Sequence, residues 1–438
     1  MRGCAAGVPV NASPMLTISI LWVIVFLPLL VFAIFIGANI VTAEKRLRRR
    51  PKTLYTSADM DFRRALGVLL GPAILPGNDI RILMNGDATF PAMIDAIESA
   101  LTSITFESFI FRDEIGAQFC KALTAAAKRG VKVHILLDWI GSRTMDQGLL
   151  EATKKAGAEV RIYHELSWYN WRRLNNRTHR KLLVIDGVKG YTGGLGVGHE
   201  WTGNAQDPQH WRDTHYEVTG PVVAQMQSVF IDNWIKATGE VLHGDAYFPT
   251  LKPTGAMEAQ MFSSSPEGGS SSLHLMVLLA IAAATKTIDI ENSYFVPDKL
   301  TIQTLIAARK RGVKVPVLVP SAHTDAKFGR WASQALYAEL LKAGIEISEF
   351  EPTMIHCKIM VVDKRWTSVG SCNFDDRSFR LNDEANLNIF DETFAQRQLE
   401  YVEADFAQSK CIVRGRWAHR SFVIRVLENI ALLFRTQL

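Results

Sequence analysis

Two stretches of this chain place a histidine, a lysine and an aspartate at one and the same spacing: His179, Lys181 and Asp186 in "THRKLLVIDG", and His356, Lys358 and Asp363 in "IHCKIMVVDK". A glycine closes each pattern, Gly193 in the first and Gly370 in the second. An imidazole can attack an electrophile and carry a group covalently, or give and take a proton, and two imidazoles let one site do both. The lysines and the turn behind each motif, with Gly193 and Gly194 in one and Ser371 in the other, would hold anionic oxygens and stabilise charge in the transition state. Phosphodiester chemistry asks for that combination. A carboxylate on the far ring nitrogen would fix the tautomer and support the imidazolium. Asp213, opening "DTHYEVTG", and Glu384, opening "EANLNIFD", stand at matching downstream positions and are the candidate orienting acids. Asp186 and Asp363 are counted with the catalytic set, although an Asp that ends an apolar strand is also a normal turn residue.

The elements that carry these residues recur. "LLVI" and "IMVV" have the length and branching of buried strands, on which His and Lys two apart share a face. Upstream, "AAAKRGVKVHILLD" is answered by "ARKRGVKVPVLVP", each a helix ending at a Gly that leads into a strand. "SITFESFIFRDEIG" pairs with "TIDIENSYFVPDKL", bringing Glu107 and Glu291 to equivalent places, and "KKAGAEVRIY" pairs with "LKAGIEISEF". Paired segments in one order imply two similar α/β domains made by internal duplication, expected over residues 53–250 and 251–410.

Residues 1–52 read as a membrane anchor with a basic juxtamembrane segment. The apolar run over residues 16–43 exceeds the roughly 20 residues that span a bilayer core, and "EKRLRRRPK" follows it. Lys and Arg flanking a span stay cytoplasmic, which places the body on the cytosolic side of a cell membrane in a single-pass arrangement. A cleaved signal peptide is the competing reading, because "VTA" precedes Glu44, but its apolar region would be too long and the basic cluster lies on the wrong side. Residues 411–438 are expected to form a basic amphipathic helix, with Phe422, Val423, Val426, Leu427, Ile430, Leu433 and Phe434 at helical spacing and Arg414, Arg416, Arg420, Arg425 and Arg435 along it.

Across 438 residues, 48% hydrophobic content and 21% charged content exclude a disordered chain, and a net charge of +5 fits anionic partners. Cys4, Cys120, Cys357, Cys372 and Cys411 are odd in number and scattered, which argues for reduced thiols. His199, Glu200, His210 and His215 match no zinc spacing, and no metal or cofactor is expected.

The doubled H-x-K-x(4)-D-x(6)-G pattern, His179 to Gly193 and His356 to Gly370, resembles the paired signature of the phospholipase D superfamily. The resemblance spans residues of about 80 to 410 and implies pseudo-twofold symmetry, one active site between the copies and a phosphohistidine intermediate. It implies that His179 is the nucleophile, that His356 is the acid and base, and that Asn373 in "GSCNFDDRS" contacts phosphate. The first copy departs from the pattern, since "GGLGVGHEW" has Gly196 where that Asn would fall, so backbone N–H groups of the glycine turn are expected to substitute there. "SWYNWRRLNNRTHRK" adds Trp168, Tyr169, Trp171, Arg172, Arg173 and Arg177, which suit a headgroup interface and also stacking on a single-stranded nucleic acid.

With its N-terminal span and motif spacing, the chain most resembles bacterial cardiolipin synthases of the phospholipase D type. That implies transfer of a phosphatidyl group between two phosphatidylglycerol molecules with release of glycerol. Membrane phospholipids are then the expected partners, ahead of nucleic acid, and the oligomeric state is left open. The alternatives are a membrane-tethered phospholipase D that forms phosphatidic acid, a nuclease or phosphodiesterase of the same fold, and an inactive lipid-binding scaffold.

Overall fold

The computed structural model describes residues 26–30, 47, 49–52, 54–164, 176–265 and 272–437. Phe26–Leu30 is helical, but most of the apolar run over 16–43 and all of residues 165–175, with Trp168, Tyr169, Trp171, Arg172 and Arg173, lie outside the described residues. Among the described residues, no helix is long and apolar enough to cross a membrane.

After helix α1 (Met60–Leu69), the first half runs β1 (Leu75–Met84), α2 (Asn85–Ser99), β2 (Ser103–Ser108), α3 (Asp113–Lys128), β3 (Lys132–Asp138), α4 (Gln147–Lys155), β4 (Glu159–Tyr163), β5 (Leu182–Ile185), β6 (Lys189–Gly193), β7 (Thr214–Thr219) and α5 (Val223–Thr238). The second half runs β8 (Met257–Ser264), α6 (Ser272–Ala283), β9 (Ile288–Asn292), β10 (Phe295–Val296), α7 (Lys299–Lys310), β11 (Pro316–Pro320), α8 (Lys327–Lys342), β12 (Glu346–Phe350), β13 (Lys358–Val362), β14 (Trp366–Gly370), β15 (Phe374–Asp375), α9 (Asp376–Arg380), β16 (Glu384–Phe390) and α10 (Glu392–Ala407). Strand β17 (Ser409–Cys411) and helices α11 (Arg414–Ala418) and α12 (Phe422–Leu433) complete it. The stretch expected as one C-terminal helix is therefore the end of an edge strand followed by two helices, with Ser421 at the N-cap position of the second.

Fifteen of the described strands form one mixed sheet, and β10 and β15 pair in a separate two-stranded one. From its middle outward the first half is ordered β1-β7-β6-β5-β2-β3-β4, and the second is ordered β8-β16-β14-β13-β9-β11-β12, with β17 at the edge. Strand senses agree as well: β2, β3 and β4 are parallel, as are β9, β11 and β12, while β5 and β13 run antiparallel to β2 and β9. Each crossover helix before a parallel strand stops at a glycine in the left-handed region, Gly130 at φ 89° and Gly312 at φ 95°, the conformation a residue with a Cβ resists.

An apolar cluster joins the halves. Leu182 and Val184 of β5 and Tyr216 and Val218 of β7 pack in it with Ile359 and Val361 of β13 and Leu387 and Ile389 of β16. Each such side chain contributes about 1.5–3 kcal/mol when buried, so this layer holds the two motifs in fixed relation.

Candidate active site

His179 and His356 sit just before β5 and β13, where the chain has not yet entered the ladder and each lysine opens or precedes the strand. Short bridges across the halves set their surroundings. Thr178 pairs with Asp383 and Ile355 with Arg212, each parallel. His179 N–H donates to Asp383 O at 2.9 Å and His356 N–H to Arg212 O at 2.7 Å. Because the residue before each histidine is registered with the residue before an acid, each ring meets the acid of the other half. His179 Nδ1 lies 3.0 and 3.1 Å from the two carboxylate oxygens of Glu384, and His356 Nδ1 lies 2.8 Å from Asp213 Oδ2.

The acids are themselves held. Ser371 Oγ and Ser378 Oγ donate to Glu384 at 2.5 and 2.7 Å, and Trp201 Nε1–H donates to Asp213 Oδ2 at 3.0 Å. Such supports favour the Nδ1–H tautomer and leave Nε2 as the unprotonated ring nitrogen. Lys181 donates to His179 O at 2.8 Å. Lys358 donates to His356 O at 2.6 Å and to Ser293 Oγ at 2.7 Å, and its Nζ stands 3.1 and 3.2 Å from the two ring nitrogens of His356.

Burial governs the electrostatics. It lowers His179 to about 4, against the opposing pull of Glu384. It lowers His356 well below the usual histidine range, with Lys358, Lys181 and His179 adding to the effect. Desolvation, then repulsion from Lys358, brings Lys181 down to about 7; desolvation also depresses Lys358. Asp213 is pushed up to about 6 by burial, with Lys358 opposing. Burial would raise Glu384 too, but the His179 ring, the hydrogen bonds to His179 and Ser371, and Lys181 outweigh it and hold the carboxyl below its usual range. The resting site thus combines neutral imidazoles with ionised Glu384 and two lysines whose burial disfavours their charged form, a penalty that an incoming anion would relieve.

A cavity of about 320 Å³ opens over both rings. His179, Lys181, His356 and Asn373 line it with Phe109, Arg112, Arg177, Arg377, Trp201, Trp211, Tyr294 and Asp325. Asn373 Oδ1 accepts from Ser293 Oγ at 3.0 Å. Phe109 and Tyr294 lie beneath Lys181 and Lys358, their ring centroids 5.7 and 5.9 Å from Nζ. Tyr294 Oη donates to the carboxylate of Asp325 at 2.7 Å. Trp201, Trp211, Tyr294, Asp325 and Arg377 were not singled out from sequence, because each reaches the cavity from a loop or a short helical turn with no repeating local pattern.

Several expected site residues stand elsewhere. Asp186 is at the far end of β5, about 16 Å of strand beyond Lys181, where it accepts from the N–H groups of Leu101, Thr102 and Ser103 at 2.7–3.1 Å. Asp363 does the same for Thr285, Lys286 and Thr287 at 2.6–2.9 Å and also accepts from Ser57 Oγ. Both tie a turn to the start of a neighbouring strand and neither lines the cavity. Of the residues expected to bind substrate, Gly194 and Ser371 already have partners within the protein. Gly194 N–H is spent on Thr214 O at 3.0 Å, and the Ser371 hydroxyl is spent on Glu384.

The glycines serve close approach instead: a Cβ on Gly193, at φ 154°, would lie 2.6 Å from Thr214 O, and one on Gly194 would lie 2.1 Å from Asp213 Oδ1. Gly370, at φ 152°, meets Ala385 O in the same way at 2.3 Å. The motif glycine therefore lets the acid-bearing strand pass close enough to deliver its carboxylate. His199 and His210 pack ring to ring at 5.3 Å, and among the described residues no group of three or more His, Cys, Asp or Glu is placed to hold a metal ion.

A family model described as "Cardiolipin synthase, PLD-like domain" matches residues 93–231 and 277–406. The chain is 36% identical over 367 residues to a "Cardiolipin synthase A" of Pseudomonas fluorescens (strain SBW25), covering 83% of this chain and 75% of the relative. It is 36% identical over 361 residues to a "Cardiolipin synthase" of Staphylococcus aureus (strain N315), covering 81% and 73%. Among solved structures, a phosphatidylserine synthase of Haemophilus influenzae Rd KW20 superposes with a TM-score of 0.66 over 86% of this chain and 100% of that one, at 14% identity, a likeness of fold.

Proposed function

The chain belongs to the cardiolipin synthase family of phospholipase D-like proteins, and from that premise we propose that it is a phosphatidyltransferase that joins two phosphatidylglycerol molecules and releases glycerol. The observation that carries the mechanism is the reciprocal pairing of His179 with Glu384 and His356 with Asp213 over one cavity. The shared strand order of the halves supports reading them as duplicated domains about a pseudo-twofold axis, with the site at the junction.

In the first step His179 Nε2 attacks the phosphorus of a phosphatidylglycerol and the bond to the glycerol oxygen breaks. The P–N bond leaves positive charge on the ring, and ionised Glu384 at Nδ1 supports it. His356 delivers a proton to the departing glycerol. Its neutral resting state reflects burial beside two lysines, and the phosphodiester anion offsets that penalty; Lys358, in contact with the ring, is the adjacent proton source. In the second step His356 takes the proton of the acceptor hydroxyl, whose oxygen displaces His179 from phosphorus. One phosphodiester replaces another, so the exchange runs without a nucleotide. Lys181, Lys358 and Asn373 hold the non-bridging oxygens. Lys181 and Lys358 each donate to the carbonyl of their own histidine, and Lys358 also stands against the His356 ring, which supports His356 as the proton carrier and His179 as the nucleophile.

The apolar run over residues 16–43 and the basic segment behind it support a single-pass anchor in a bacterial cell membrane with the body on the cytoplasmic side. Purified protein in phosphatidylglycerol bilayers tests the reading: cardiolipin with glycerol is expected. Phosphatidic acid would make the protein a hydrolase, and neither product would favour a nuclease or a scaffold.

A further inference from the structure

Helix α12 turns one side to the protein and the other away from it. Glu428 and Ala431 are buried; Arg420 reaches Glu428, and Phe434, just past the helix, packs on Phe328 of α8 at 5.8 Å between ring centroids. On the opposite side Phe422, Val423, Val426, Ile430 and Leu433 form a continuous stripe at helical spacing, with Phe422 76%, Val423 65% and Leu433 79% exposed. A stripe of that length left in water is unfavourable, and monomeric proteins rarely keep one without an occupant.

We propose that the occupant is the surface of an anionic phospholipid bilayer, along which α12 lies with its stripe among the acyl chains. Charge supports it. From Cys411 to Leu438 the chain carries five arginines and one acid, Glu428. That acid is buried under Arg420, so the exposed charged side chains of this stretch, Arg425 on α12 and Arg414 and Arg416 on α11, are all cationic. A basic rim around an apolar stripe is the pattern of an interfacial helix. Position supports it as well. Gln437, four residues beyond α12, lines the active-site cavity, and its carbonyl accepts from Arg377 at 3.4 Å. Ala326 and Gly329, at the start of α8 on which α12 rests, line the same cavity. A bilayer seated on α12 therefore lies beside the opening through which a lipid headgroup enters, a geometry that rests on the phospholipid reading of the site.

Full-length protein in nanodiscs containing phosphatidylglycerol tests this with a fluorophore at Val423→Cys, in a Cys4→Ser/Cys411→Ser background. Strong quenching by brominated acyl chains with little quenching by iodide is the expected result. Quenching by iodide alone means a solvated face and overturns the proposal. Protection from both means that protein covers it, either a second copy or residues 16–43, and also overturns it. Phe422→Ser/Leu433→Ser should lower turnover of bilayer phosphatidylglycerol at least about tenfold while leaving short-chain phosphatidylglycerol, dissolved as monomers, within about twofold. Equal loss on both substrates, or loss on neither, contradicts the proposal. Should the unmodified protein turn over neither, the functional reading fails, and the quenching still decides whether α12 enters the bilayer.

Discussion

Asp213 Oδ2 stands 2.8 Å from Nδ1 of His356, across the junction between the two halves of the chain. Asp213 follows the first motif and His356 belongs to the second, so each motif histidine takes its orienting carboxylate from the other half. The converse pair, His179 with Glu384, repeats the exchange. Splitting each pair makes catalysis conditional on the apolar layer that joins the halves.

Removing the charge of either acid should disable the ring in the other half while leaving the fold in place. Asp213→Asn and Glu384→Gln are each expected to lower kcat by roughly a hundredfold or more, with thermal midpoints close to that of the unmodified protein. Steady-state kinetics beside a melting curve checks this, and kcat within twofold for both variants would remove the orienting role. His179→Ala and His356→Ala should abolish turnover altogether.

Asp186 and Asp363 should behave in the opposite way. Each accepts three backbone N–H groups at the start of a strand, so Asp363→Ala removes the acceptor of three partly buried donors. It should cost about 1–3 kcal/mol of stability, seen as a lower urea midpoint, with kcat of the folded fraction nearly unchanged. A large kcat loss without loss of stability would return these residues to the catalytic set.

Gly194→Ala separates the glycine's two possible roles. Its Cβ would meet the Asp213 carboxylate at 2.1 Å, so the acid must move away from His356. The expected signature is a fall in kcat of about tenfold or more with KM little changed. A rise in KM alone would instead mark the turn as a phosphate cradle.

The pH profile should follow Lys181. Burial and Lys358 bring its ammonium down to about 7, so the phosphate-gripping cation is present below that value and lost above it. In the free protein kcat/KM is then expected to fall by about tenfold per pH unit on the alkaline side of about 7. On the acid side, His179 must be neutral to attack, and its lowered value of about 4 confines the acid limb to low pH. Lys181→Gln should raise KM and shift or flatten the alkaline limb; an unchanged limb would assign it to another group.

The motifs, the strands that carry them and the matching strand order of the halves were legible because identical local spacing favours identical local structure. "LLVI" and "IMVV" became β5 and β13, and the helix–glycine–strand units became equivalent crossovers. Asp213 and Glu384 were legible as candidates from their matching places. Their partners were not, because the choice depends on the Thr178–Asp383 and Arg212–Ile355 bridges, contacts between distant parts of the chain that leave no local pattern. The same reason hid Trp201, which steadies Asp213, and Tyr294 with Asp325 on the cavity wall. Asp186 and Asp363 carried two readings in the sequence, catalytic and turn-forming, and their place at the strand ends supports the second, because a motif records residues its fold requires beside those its chemistry requires.

The central claim is that His179 carries the phosphatidyl group. Rapid mixing with phosphatidylglycerol labelled at phosphorus, alkaline quenching and peptide mapping tests it most directly. Label is predicted on the peptide containing His179, lost in His179→Ala and chased into cardiolipin by unlabelled acceptor. Label on His356 would reverse the two roles, and turnover with label on neither histidine would contradict covalent transfer.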